Sequence, residues 1–321
     1  MTEPTITALG GRAPSQIARR LFLATRPKFF TASVLPLILG SLWGAIQAGS
    51  IDAVAFILSL AAIVFVHAAA NVLNDVYDDL TGNDGPNEGR IYPYTGGSRF
   101  IQNGIMDVGQ MARWGWLLLA LGLGSGLALI AYKGLMVAAF GVIGVALAVL
   151  YSAPPVRLSG RGLGEIAVGI AFGVLPIMGA VWLQTGMLTA DALLISLPTS
   201  FWVVAILMIN EVPDVKADEA SGRQTLAVKL GKAGSRWFYV GLLAAGLTAV
   251  GLIADRGLLP VWCLILPVTL TVLGVKGSAA IAVDSADPAP LRKAIEGTLG
   301  IHALGTIWLI AVGGASLWLA S

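Results

Sequence analysis

Apolar residues do not alternate with polar ones in this chain; they run in blocks about twenty residues long, separated by short clusters of Gly, Pro and charge. A helix that crosses a bilayer needs roughly 20 mostly apolar residues. Nine segments approach that length: 29–48, 52–73, 114–132, 135–152, 163–184, 192–211, 237–254, 258–275 and 297–319. Turn and charge signals separate them at Gly49-Ser50, Tyr132-Lys133-Gly134, Gln184-Thr185-Gly186 and Asp255-Arg256-Gly257. Between the fourth and fifth, Ala153-Pro154-Pro155 through Ser159-Gly160 cannot continue a helix. The pattern predicts an all-α, polytopic membrane bundle of nine transmembrane helices. Residues 1–25 form an N-terminal cytoplasmic segment and 26–321 a single transmembrane domain. That domain divides into two weakly related halves, about 26–152 and 153–275, followed by a last helix at 297–319.

Composition strengthens the assignment to lipid. Hydrophobic residues make up 56% of the 321 and charged residues 12%, against about a quarter charged in soluble domains. A net charge of +2 without a basic tract gives no footing for nucleic acid. The one cysteine, Cys263, lies in an apolar run, so neither a disulfide framework nor a thiolate metal site is expected. Met1 to Lys28 is polar and basic with no apolar h-region, so no cleavable signal peptide is expected.

Charge then orients the bundle. With the N-terminus in the cytoplasm, 18 of the 20 Lys and Arg fall on the cytoplasmic side; only Lys133 and Arg256 fall outside. The expectation is an integral protein of the cell inner or plasma membrane with its chemistry on the cytoplasmic face. The long inside loops, 74–113, 212–236 and 276–296, lie there, and the stretch 80–110, rich in Gly and Pro, is a candidate lid.

Two of those inside ends are acidic. The second segment ends in Asn74-Asp75-Val76-Tyr77-Asp78, with Gly82 and Asp84 beyond, and the sixth in Asn210-Glu211-Val212-Pro213-Asp214, with Asp218 beyond. The two Asn-x3-Asp units are 136 residues apart (210 minus 74) and form a weak internal repeat. Spacing by four keeps side chains on one helical face, so Asn74 and Asp78 should point together, as should Asn210, Asp214 and Asp218. Lone acids at helix ends are commonly just solvated, but paired clusters at a membrane edge are costly and tend to be functional. Carboxylates converging on a cavity need a cation. Oxygen ligands without His or Cys select a hard ion, and Mg²⁺ takes one or two carboxylates plus water and substrate phosphate. The arrangement suits a diphosphate bridged to protein by metal.

At these residues the chain resembles the UbiA superfamily of intramembrane aromatic prenyltransferases, which carries Asn-x3-Asp-x3-Asp in both halves. The first motif departs from that pattern, with Gly82 in the third acidic position and Asp84 two residues later. This variant is similar to the branch that prenylates 1,4-dihydroxy-2-naphthoate in menaquinone synthesis. Arg26-Pro27-Lys28, Gly96-Gly97-Ser98-Arg99, Arg161-Gly162-Leu163-Gly164-Glu165 and Gly222-Arg223-Gln224-Thr225 agree with it. The resemblance spans residues 26 to 232 and implies Mg²⁺-dependent transfer of a polyprenyl group from its diphosphate to an aromatic acceptor. It implies metal and diphosphate ligands at Asn74, Asp78, Asn210, Asp214 and Asp218, with Asp75 and Asp84 assisting. Asp78, Asp214 and Tyr151 would be catalytic, and Tyr151-Ser152 matches a family pair near the bond that breaks.

Heterolysis of an allylic C–O bond leaves an anion and a cation. Lys28, Arg90, Arg99, Arg161, Lys216 and Arg223 are candidates to meet the anion, as Ser152 is by its motif; each basic group also serves topology or anionic lipid. Trp114, Trp116, Phe140, Tyr151, Phe172 and Trp202 could offer ring faces to the cation, or simply pack. His67, about one turn before Asn71, is a candidate contact for the acceptor. Two alternatives stay open: a different acceptor (4-hydroxybenzoate, homogentisate, a chlorin or a lipid glycerol), and a membrane transporter built on repeats.

Overall fold

The computed structural model describes residues 3–82, 89–283 and 287–320, the last five through their backbone alone. Nine principal helices follow one another among them: α1 Thr31–Ala48, α2 Ala53–Leu80, α3 Val108–Lys133, α4 Met136–Leu150, α5 Gly164–Thr185, α6 Ala190–Glu211, α7 Leu226–Asp255, α8 Ile265–Gly277 and α9 Ala289–Ala320. Counted with the short turns that extend them, eight are long and apolar enough to cross a membrane. The exception is α4. Its 15 residues span about 22 Å, short of a hydrocarbon core of about 30 Å. An amphipathic helix, Pro14–Ala24, precedes the bundle.

Several helices outrun the apolar blocks that announce them. No breaker follows Leu73 until Thr81-Gly82, so α2 continues through the whole first acidic motif; Thr81 Oγ1 donates back to the Tyr77 carbonyl, and Gly82 at φ +72 ends the helix. At the second motif Pro213 has no N–H to give, and α6 stops at Glu211. A single turn, Val212–Asp214, and a short helix, Val215–Ala220, carry the chain onward. The second motif therefore bends around a corner instead of sharing one straight helical face. Entry to four of the helices, α2, α3, α6 and α7, is capped by side chains: Asp52 accepts from Ala55 N at 2.9 Å, Asp107 forms a reciprocal box with Gln110, and Thr189 and Thr225 cap α6 and α7.

The most buried span is α6, which packs on α5, α7 and α9. Its Trp202 is 1% exposed and wedged between Gly246 of α7 and Gly305 of α9, where an added Cβ would stand 2.6 Å from the indole. Only hydrogen at those two positions lets three helices close on one large ring. The outward faces carry Leu121, Val142, Ile166 and Leu273, all exposed and all apolar, as a lipid solvent requires. At the end opposite the acidic motifs, Lys133 pairs with Asp52 at 2.6 Å, and Gln184 Oε1 accepts from Asp52 N at 2.7 Å, tying α2, α3 and α5 together.

Candidate active site

The two acidic helix ends meet at the mouth of a cavity of about 430 Å³ lined by residues of α1 to α6. Asn74, Asp78, Asn210, Asp214, Asp218 and Arg223 line its polar end. Deeper in, the lining turns apolar, with Leu129, Val137, Phe140 and Leu183 far from the acids. Polar head and apolar shaft are continuous.

Within the head the first motif behaves as its spacing predicts. Asn74 Nδ2 donates to Asp78 Oδ2 at 3.0 Å and to Ser152 Oγ at 2.8 Å. Both amide hydrogens are thus engaged, so the carbonyl oxygen is the atom offered to a cation. Ser152 itself is not part of the cavity wall; it orients Asn74. Arg223 joins the two halves, reaching Asp78 Oδ1 at 3.0 Å and Asp218 Oδ1 at 3.4 Å. Burial works against its charge, but the Asp78 and Asp218 carboxylates outweigh that and hold the guanidinium protonated above its ordinary range. Among the described residues, Asn210 Oδ1 is buried in this wall without a hydrogen-bond partner.

That donor set suits a hard cation. Among the described residues no group of three or more His, Cys, Asp or Glu is gathered closely enough to hold a metal by itself. Mg²⁺ does not require one, because it is commonly held by one or two carboxylates with substrate phosphate completing its shell. An orphaned buried amide oxygen beside carboxylates now neutralised by Arg223 is what such a site would present. Asn74, Asp78, Asn210, Asp214 and Asp218 fit the role.

Other residues expected at the site lie elsewhere. Asp75 is 3% exposed and turned from the cavity, because one residue along a helix is about 100° around it. Both its oxygens accept from Ser98 N at 3.2 Å, so it anchors the Gly96-Gly97-Ser98-Arg99 loop instead of facing the head. Asp84 lies outside the described residues. Of the six candidate cations only Arg223 reaches the cavity. Arg90 pairs with Glu3 at 2.6 Å; Arg161 is exposed and donates to the Pro155 carbonyl at 2.7 Å; Lys216 is exposed; Arg99 is buried off the wall. Lys28 donates to the Pro93 carbonyl and sits 4.2 Å from the Tyr94 ring centre. Among the aromatics Phe140, Tyr151 and Phe172 line the cavity, whereas Trp202 is core and Trp116 faces outward.

Two wall residues were not singled out by sequence. Arg26 lines the cavity in a left-handed conformation (φ +55), and among the described residues its buried Nε has no hydrogen-bond partner. The Arg-Pro dipeptide signals a turn, but not which way the guanidinium faces. Glu211, next to Asn210, also lines the wall, with Glu165 of α5 beside it. The candidate lid is a strap in part: Thr95, Gly96 and Gly97 line the cavity. The strap is held from both flanks. Arg26 donates to the Tyr94 carbonyl at 3.3 Å, Arg292 of α9 to the Tyr92 carbonyl at 2.9 Å, and Tyr94 OH meets Glu296 Oε1 at 3.0 Å.

Comparison with known proteins places this architecture. Residues 33–295 match the family model described as "UbiA prenyltransferase family". The chain is 28% identical to 1,4-dihydroxy-2-naphthoate octaprenyltransferase of Bacillus subtilis, over 84% of this chain and 85% of that enzyme. It is 30% identical to UbiA prenyltransferase domain-containing protein 1 of Dictyostelium discoideum, over 69% of this chain and 67% of that protein. Among solved structures, a UbiA homolog from Archaeoglobus fulgidus bound to GPP and Mg²⁺ shares the fold with a TM-score of 0.60 at 18% identity, covering 92% of this chain and 99% of that one. A family match running from α1 into α9, on an all-helical bundle of the same fold, settles the assignment: this integral membrane chain belongs to the UbiA prenyltransferase family.

Proposed function

We propose that this transferase moves a polyprenyl group from its allylic diphosphate to an aromatic acceptor, 1,4-dihydroxy-2-naphthoate, on the route to menaquinone. The observation that carries the reading is the convergence of Asn74, Asp78, Asn210, Asp214, Asp218 and Arg223 at one end of an otherwise apolar cavity. A diphosphate suits that head and an isoprenoid tail suits the shaft. The A. fulgidus neighbour is described with GPP and Mg²⁺ bound, which supports a metal-assisted diphosphate site here. The choice of acceptor leans on the relatives from Bacillus subtilis and Escherichia coli, both named as dihydroxynaphthoate octaprenyltransferases. The density of Lys and Arg at the same end of the bundle supports a site on the cytoplasmic side.

Mg²⁺, when bound by Asn74, Asp78, Asn210, Asp214 and Asp218, would offset charge developing on the diphosphate leaving group. The chain's own residues supply the rest. Arg223, kept cationic by its two carboxylates, is placed to meet diphosphate oxygens as the C–O bond lengthens. Phe140, Tyr151 and Phe172 line the cavity, where aromatic rings can stabilise an allyl cation, and the apolar wall would keep water from it. Arg26, charged and with a buried unmatched Nε, suits the acceptor's carboxylate.

Purified protein in detergent or lipid should convert polyprenyl diphosphate and dihydroxynaphthoate to demethylmenaquinone only with Mg²⁺ present. Asp78→Ala and Asp214→Ala should abolish turnover with the fold intact. Full activity in both variants, or activity undiminished by EDTA, sinks the metal–diphosphate reading. An acceptor panel in the same assay, with 4-hydroxybenzoate and homogentisate beside the naphthoate, decides the acceptor.

A further inference from the structure

One polar side chain in the shaft has no part in holding diphosphate. His67 lies on α2 at steps of four, three and four residues from Asn71, Asn74 and Asp78, so all four face the same cavity. Eleven residues of helix put it about 16 Å below Asp78, too deep for the leaving group. A bound diphosphate, its reacting carbon and a two-ring aromatic laid end to end cover a comparable length.

The ring is fixed in orientation. Phe172 and Phe30 meet it edge-on, with ring centres 4.7 and 5.4 Å away, and the residue is 5% exposed. Phe172 sits in a π-helical turn of α5, Ile170–Val174, which opens where Gly173 presses against Ser200. Nδ1 of His67 is 2.9 Å from Ser33 Oγ, and the Ser33 hydroxyl donates to the Phe30 carbonyl at 3.1 Å. A serine has one hydroxyl hydrogen. With that hydrogen on Phe30, Ser33 can only accept from the imidazole, so in the neutral ring Nδ1 carries the proton and Nε2 is the bare lone pair. In that arrangement the edge left for the cavity is a hydrogen-bond acceptor.

Each ligand group can be matched against such an edge. An isoprenoid tail has no N–H or O–H to give. Diphosphate oxygens are themselves acceptors and would meet a lone pair unfavourably. A phenolic ring has the hydrogen. We propose that His67 Nε2 accepts a hydrogen bond from a ring hydroxyl of the aromatic acceptor, and so sets which ring carbon faces the allylic end. The inference rests on the prenyltransferase reading and adds a specificity-determining contact to it. A site built to take a hydroxyl's hydrogen discriminates against analogues lacking that hydroxyl, because the buried lone pair is then unmet.

The test compares wild type with His67→Phe, which keeps an aromatic ring between Phe30 and Phe172 and removes Nε2. Competition constants are measured against dihydroxynaphthoate for its two monohydroxy analogues, each lacking one ring hydroxyl. Wild type should bind one analogue about tenfold more weakly than the parent. His67→Phe should bind the parent about tenfold more weakly than wild type and no longer distinguish it from that analogue. The KM for polyprenyl diphosphate should be unchanged. His67→Gln, which retains an acceptor oxygen, should recover part of the discrimination, and it carries the comparison should the Phe variant fail to assemble. The same parent-to-analogue ratio in wild type and variant overturns the proposal. Mg²⁺-dependent binding of polyprenyl diphosphate is measured on the same preparations. Its absence in wild type removes the underlying reading, whereas its presence with an unchanged ratio removes only the role of His67.

Discussion

Replacing Arg223 with methionine separates the two cations that the acidic motifs can use. Arg223 stands between Asp78 at 3.0 Å and Asp218 at 3.4 Å, with side-chain exposures of 10%, 15% and 4% for the three groups. At an effective dielectric near 20 each contact is worth about 5 kcal/mol of gross attraction. Desolvation of the three ions takes back much of it, and removing one partner from a buried pair costs about 3–5 kcal/mol net. Arg223→Met should therefore be destabilised by about that amount when unfolding is followed in detergent with EDTA. Mg²⁺ together with a prenyl diphosphate should restore more than half of the deficit, since metal then neutralises the carboxylates that Arg223 no longer serves. Wild type should gain less from the same addition. Turnover should fall about 10²-fold, as for loss of one preorganised charge at a leaving group. A deficit of equal size with and without Mg²⁺ would refute the reasoning, because it would mean that Arg223 and metal do not act on the same carboxylates.

Two further substitutions probe residues that the structure moves off the cavity. Asp75→Asn weakens one of the two contacts to Ser98 N and should cost about 1–3 kcal/mol of stability, with faster proteolysis between residues 95 and 100 and little change in the Mg²⁺ dependence of turnover; a large rise in the Mg²⁺ requirement would restore Asp75 to the metal set. Arg161→Ala should leave the KM for polyprenyl diphosphate within about threefold of wild type, since an exposed side chain bound to a backbone carbonyl has little to lose; a tenfold rise would show that Arg161 reaches substrate.

The helical register of the fold is legible in the sequence because lipid imposes a length rule on apolar runs, and eight of the nine expected spans meet it. The fourth fails for a reason also visible in composition: Tyr151 through Gly160 is so rich in Pro and Gly that the helix stops at Leu150, and only 15 residues remain. Boundaries at the acidic motifs are less legible, since polarity and helicity part company there. The α2 helix runs seven residues past its apolar block because Asp and Asn in its last turns still hold helical dihedrals, whereas α6 stops within its motif because Pro213 lacks an N–H. The convergence of Asn74, Asp78, Asn210, Asp214 and Asp218 follows from spacing and repeat; the bend between Asn210 and Asp218 does not.

The cations show the limit most clearly. Position in the sequence fixes a residue's height relative to the helix ends, and motif membership singles out Arg99 and Arg161, but neither fixes which way a side chain faces. Azimuth decides whether it reaches substrate. Lys28 and Arg90 are drawn to carbonyl and carboxylate partners on the strap and the N-terminal segment, while Arg223 is drawn inward by two carboxylates from different halves of the chain. A buried cation persists only where carboxylates compensate its desolvation, so the acidic motifs themselves select which basic residue enters the cavity. By the same logic Arg26 stands out, because it lines the wall with no carboxylate among its hydrogen-bond partners. It is tied to the strap through the Tyr94 carbonyl, whereas Arg223 bridges Asp78 and Asp218. Arg223 is thus bridged by carboxylates from both halves of the chain, whereas Arg26 bonds a backbone carbonyl and feels the buried Asp75 carboxylate only through space.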